Sequence, residues 1–96
     1  MKSYRLTPAA RQDLSSMWDF TQERWDSNQA EIYIFEIRAA IERIAADPLR
    51  GRACDEIPGQ YRRYSIGSHL VFYVESTDSV DVVRILHQRM DPTRHL

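Results

Sequence analysis

The sequence predicts an α+β domain of order β-α-α-β-β-β, with a helical hairpin packed on one face of a small antiparallel sheet. Three observations predict it. Residues 8–47 hold two stretches whose apolar side chains recur every three or four positions, the spacing of an amphipathic helix. Only "DSN" at 26–28 separates the two, which makes them antiparallel neighbours. From residue 61 the period changes to two, the alternation of a half-buried strand. Ninety-six residues, 43% hydrophobic and 28% charged, suit a single domain, 1–96, with one core.

Each element has its own signal. "KSYRL" at 2–6 alternates and forms the first strand. Thr7 and Pro8 then read as the N-cap and first position of a helix over 8–25. Its stripe is Ala10, Leu14, Met17, Trp18, Thr21 and Trp25, and the two tryptophans are expected in the core or between the helices. Asn28 followed by Glu31 resembles a capping box for the second helix, with Ser27 as the other candidate cap. The second stripe runs Ala30, Tyr33, Ile34, Ile37, Ile41, Ile44. It stops at Asp47, because Pro48 disfavours helical geometry in the residue before it. The span 47–60 lacks sustained periodicity, contains two prolines and two glycines, and reads as a long irregular loop. Strands follow at 61–66, 69–76 and 80–88, the first two joined by a two-residue turn at Gly67-Ser68. No internal repeat or low-complexity tract interrupts the order.

Two helices cover one face of the sheet, and the other face is the informative one. Unbroken alternation sets Leu70, Phe72 and Val74 against Val71, Tyr73 and Glu75, and Val83 and Ile85 against Val82, Arg84 and Leu86. Neither side is purely polar. The uncovered face is therefore expected to stay partly apolar and arginine-studded, a surface for a protein partner. Arg62 and Arg63 are adjacent on a strand and point to opposite faces, so at most one of them faces that partner.

Composition and motifs exclude several function classes. "MKSYRLTPAAR" lacks the apolar region of a secretory signal, and no apolar run approaches the roughly 18 residues of a membrane helix. The expected location is cytoplasmic, away from membranes. Net charge is −1 with no basic field, so direct sequence-specific nucleic-acid binding is not expected. The positive charge is nearly all arginine, Lys2 being the one lysine, and arginine favours contacts with carboxylates, phosphates and aromatic faces. Cys54 reads as an incidental thiol in a polar loop. His69, His87 and His95 show no metal-ligand spacing, Gly51, Gly59 and Gly67 are too scattered to cradle a phosphate, and no nucleophile motif is present. No catalytic residue, metal or cofactor is assigned. His87, Arg89 and Asp91 share one side if the last strand runs that far, as either a working surface or a solvated strand end.

Four segments in order, "YRLTPAARQDLSSMWDFT" at 4–21, "DPLRGR" at 47–52, "YRRYSIGSHLVFYVE" at 61–75 and "VVRILHQRMD" at 82–91, carry a resemblance that spans nearly the whole chain. The chain resembles the ParE branch of the RelE/ParE superfamily, the toxins of bacterial type II toxin–antitoxin pairs. The resemblance implies the fold derived above and a hetero-oligomer with a ParD-type ribbon-helix-helix antitoxin that wraps the toxin. Antitoxin contacts are expected at Arg62, Tyr64, Tyr73 and Arg84. It further implies a non-catalytic growth inhibitor that binds DNA gyrase and blocks replication. The end of the last strand, where a stable sheet passes into a short tail, makes His87, Arg89, Met90 and Asp91 the expected target contacts. The rival is a RelE-like ribosome-dependent mRNA endonuclease, which needs a base for the ribose 2′-hydroxyl, cations and a proton donor. With no tyrosine beyond Tyr73, His87 and Arg84 or Arg89 are what remains for such a site. A third reading is an antitoxin-pairing module without toxicity.

Overall fold

The computed structural model describes residues 3–96, so Lys2, expected to open the first strand, lies outside the described residues. The elements are β1 (Ser3–Leu6), α1 (Pro8–Arg24), α2 (Ser27–Ala46), a 3₁₀ turn at Pro48–Arg50, β2 (Arg52–Ala53), β3 (Arg62–Ile66), β4 (His69–Glu75), β5 (Ser79–His87) and a 3₁₀ turn at Pro92–Arg94. The strands form one sheet ordered β1-β5-β4-β3-β2, with α1 and α2 on one face. The α+β class and the helical hairpin are as the sequence predicts.

The sheet departs from expectation in three ways. β1 runs parallel to β5, from Ser3 opposite Ser79 to Leu6 opposite Val82, so the sheet is mixed rather than antiparallel. Four alternating residues do not encode which distant strand they join. Inside the expected loop, β2 pairs with β3 at Arg52–Arg63 and Ala53–Arg62, a strand too short for alternation to show. Between β4 and β5, Phe72 lies opposite Arg84 and Tyr73 opposite Val82, which makes Val83 an extra, bulged residue. The bulge resets the alternation, so Val82 and Ile85 both face the helices, contrary to the unbroken reading.

Caps fix where the helices begin. The Thr7 hydroxyl accepts from Ala10 N at 3.1 Å and donates to Val83 O at 2.7 Å, so one residue starts α1 and ties it to the sheet. Asp26, neither Asn28 nor Ser27, caps α2, its carboxylate accepting from Gln29 N at 2.8 Å. β1 pairs only as far as Val82 and Thr7 takes Val83 O, which leaves β5 with a free edge from residue 84. Asp13 of α1 closes it by accepting Ile85 N at 2.9 Å and the Arg84 guanidinium at 2.8 Å through both oxygens. Burial is divided between two clusters. Ile37, Ile41 and Ile44 pack on Val71, Tyr73, Val80, Val82 and Ile85 beneath the helices. On the opposite face Phe72 and Leu86 are covered by Cys54 and Ile57, with Tyr61, Leu70 and Leu96 around them. That face is therefore not left open, and Cys54 is buried rather than held in a polar loop.

Candidate functional site

At the end of the sheet where β5 stops, two adjoining clefts of about 310 and 450 Å³ share Phe20, Thr21, His69 and His87 in their walls. α1 contributes Met17, Phe20 and Thr21, the helix turn Trp25, α2 Tyr33, and the strand ends His69 and His87. His69 and His87 lie directly opposite on β4 and β5, on the helix side, with ring centroids 5.4 Å apart and edge to face. Tyr33 OH meets His69 Nδ1 at 2.6 Å and accepts Ser68 N at 3.3 Å, so α2 grips the β3–β4 turn. That turn needs its glycine: Gly67 has φ of +56°, and a Cβ there would sit 2.8 Å from Tyr33 OH. His87 Nδ1 accepts Arg89 N at 3.1 Å, and His87 O accepts Met90 N at 2.9 Å. Both Nδ1 atoms are thus engaged, which leaves each Nε2 for an incoming group.

Burial, helped by the neighbouring His87, holds the His69 pKa below its ordinary value, and Asp13 opposes the shift. Burial raises the Tyr33 phenol, Glu36 adds to the shift, and the Ser68 N–H works against it. His69 is therefore biased toward neutral imidazole in an apolar frame. Around it the surface is greasy: Phe20 is 61%, Trp25 72% and Met90 45% exposed. Trp25, expected in the core, stands in solvent because Asp26 caps α2 immediately after it. Among the described residues no group of three or more His, Cys, Asp or Glu is gathered to hold a metal ion, and no helix is long and apolar enough to cross a membrane.

The expected contact residues do not form one surface. β5 ends at His87, and residues 88–91 turn away, so His87, Arg89 and Asp91 do not share a strand face. His87 and Met90 line the cleft, Arg89 is exposed, and Asp91 caps the last turn by accepting Thr93 Oγ1 at 2.7 Å and Thr93 N at 3.0 Å. Those two bonds, the hydroxyl's first, hold the Asp91 carboxyl below its ordinary pKa. Arg62, Tyr64 and Tyr73 lie on the helix side, not on the opposite face. Tyr64 packs on the main core, and Arg62 lies across from Tyr73 and donates to Gly51 O at 2.7 Å. Tyr73 is fully buried, its hydroxyl donating to Pro48 O at 2.6 Å and accepting Gly51 N at 2.9 Å, so it offers no surface in this conformation. Arg84 is held by Asp13 and by His95 O at 3.1 Å. Sequence reasoning missed Phe20, Tyr33 and the pairing of His69 with His87, because cross-strand partners 18 positions apart carry no local signal.

Residues 4–92 match the family model described as ParE toxin of type II toxin-antitoxin system, parDE. The chain belongs to the ParE toxin family. Toxin ParE1 of Mycobacterium tuberculosis is 53% identical over 94 residues, covering 97% of this chain and 96% of the relative. Toxin ParE1 of Caulobacter vibrioides is 41% identical over 96 residues, covering 100% and 99%. A solved structure titled "Chromosomal ParDE TA system from P. aeruginosa" superposes with a TM-score of 0.79 at 18% identity, covering 91% of this chain and 96% of that one, and shows the same fold. Both relatives are named toxins, and the family model describes the toxin of a type II toxin–antitoxin pair.

Proposed function

We propose that this ParE-family chain acts in the cytoplasm, that a ParD-type ribbon-helix-helix antitoxin neutralises it, and that the released toxin binds DNA gyrase and blocks replication. The observation that carries this reading is the similarity to Toxin ParE1 across 97% of the chain. The cleft supports it: exposed Phe20, Trp25 and Met90 around half-buried histidines make an aromatic surface of the kind that anchors protein partners. In this reading Met90 and Arg89 touch the target, His87 holds their turn, and Asp91 fixes the tail behind them. For the antitoxin, Arg62 and Tyr64 lie on β3, which β2 covers only at Arg62 and Arg63, so residues 64–66 keep an edge for an added strand. Tyr73 supports that edge from within, and Arg84 anchors the neighbouring tail.

Supercoiling by purified gyrase tests the reading, run beside a ribosome-dependent mRNA cleavage assay. Inhibition in the first and no cleavage in the second is the expected pair. Cleavage with normal supercoiling would replace it with RelE-like chemistry. Co-expression of a ribbon-helix-helix antitoxin should restore growth. Met90→Asp with Arg89→Ala should weaken growth inhibition by at least about 10-fold while leaving the fold intact, since both residues are exposed.

A further inference from the structure

On α2, whose Tyr33 also lines the cleft, Phe35 is 72% and Ile32 52% exposed. With Trp18 and Ile34 they line a shallow groove of about 650 Å³. Large apolar side chains at the middle of a solvent-facing helix stripe are what contact surfaces bury. The groove shares no lining residue with the histidine cleft. Charge brackets it: Glu31 stands one turn before Phe35 and Arg38 about one turn after, on the same stripe. Neither has an ion-pair partner among the described residues.

We propose that this face of α2 seats a second copy of the same chain, the two α2 helices packing antiparallel about a two-fold axis at the Ile34–Phe35 step. A two-fold axis carries each residue to the equivalent distance on the other side of the centre. Glu31 and Arg38 are equidistant from that step in sequence, so each Glu31 meets the opposing copy's Arg38 while the Phe35 rings and Ile32 bury one another. A parallel arrangement would set Glu31 against Glu31, so the charge pattern selects the antiparallel one. The contact is a single helix face, which places it among weak, reversible interfaces.

Sedimentation equilibrium of the full chain from about 1 to about 200 µM is the test. Monomer–dimer behaviour is expected, and Phe35→Asp should weaken it by at least about 30-fold. Phe35 is exposed, so the variant should keep the wild-type circular dichroism and melting temperature. Glu31→Arg and Arg38→Glu should each be monomeric alone. Mixed in equal amounts they should form a heterodimer, because every clash then becomes an attraction. A wild-type chain that stays monomeric across the range, a dimer indifferent to Phe35→Asp, or single variants that fail to pair on mixing would each overturn the proposal. So would a monomeric wild type whose antitoxin binding is lost on Phe35→Asp, which would give the groove to the antitoxin.

Discussion

The two faces of the sheet are buried by different means. Beneath the helices, isoleucines at helical spacing meet valines at strand spacing, and the cover is regular secondary structure over more than thirty residues. On the opposite face Phe72 and Leu86 are as fully buried, yet their cover is Cys54, Ile57 and Tyr61 from a connecting segment, with Leu96 of the tail. The difference teaches where the adhesive surface of this small protein lies. Because the second face closes on itself, the large exposed apolar side chains Phe20, Trp25, Ile32 and Phe35 stand on the helical layer, with Leu49 and Met90 beyond it. The apolar surface this chain offers therefore lies on the helices and the rim, not on a bare sheet.

The sharpest way to break this contrast is Phe72→Ala. If the irregular cover is a true core, the substitution costs about 3–5 kcal/mol in denaturant unfolding, comparable to about 2–5 for Ile41→Ala under the helices. A loss below about 1 kcal/mol would make the second cluster a loose lid. Tyr73→Phe comes next, because it strips partners from Pro48 O and Gly51 N, where the connecting segment leaves α2. The expected loss is about 2–3 kcal/mol, and hydrogen exchange at Gly51 should rise with it.

A pH series separates the faces in another way. Burial lowers the His69 pKa in the fold, so the unfolded chain takes up the proton first as pH falls. The stability this residue contributes is complete above its ordinary value of 6.5 and is lost as pH drops below it toward the folded value. His69 is only half buried, so solvent screening keeps the loss small. Unfolding free energies at about pH 7.5 and 5.5 should differ less in His69→Gln than in the wild type. The smallest effect concerns Cys54, whose thiol burial raises, with Asp55 and Glu56 adding and Arg63 opposing. A thiol reagent should modify it at least about 100-fold more slowly in the folded chain than in urea. Rapid modification would show that the irregular cover opens often.

Legibility followed the same divide. α1, α2, β3, β4 and the Gly67 turn announce themselves through local period and turn chemistry, and the structure moves their ends by only a residue or two. The second cluster has no such period. Cys54 and Ile57 stand isolated among polar residues and are apolar cover only because Phe72 and Leu86 lie beneath them. The cleft failed for the same reason, since Tyr33, His69 and His87 belong to three elements. The Val83 bulge was hidden because one extra residue leaves valine-rich composition unchanged while reversing every side that follows.

β1 takes its place only beside β5, with Ser3 joined to Ser79 and Leu6 to Val82. During synthesis the opening strand therefore has nothing to pair with until the closing strand has been made, and the layer of helices cannot be pinned at Thr7 before then. A prematurely ended copy would lack β5, an inner strand of the sheet, and with it the His87 wall of the cleft. For a member of a toxin family, such an order of assembly would hold back the fold until β5 has been made.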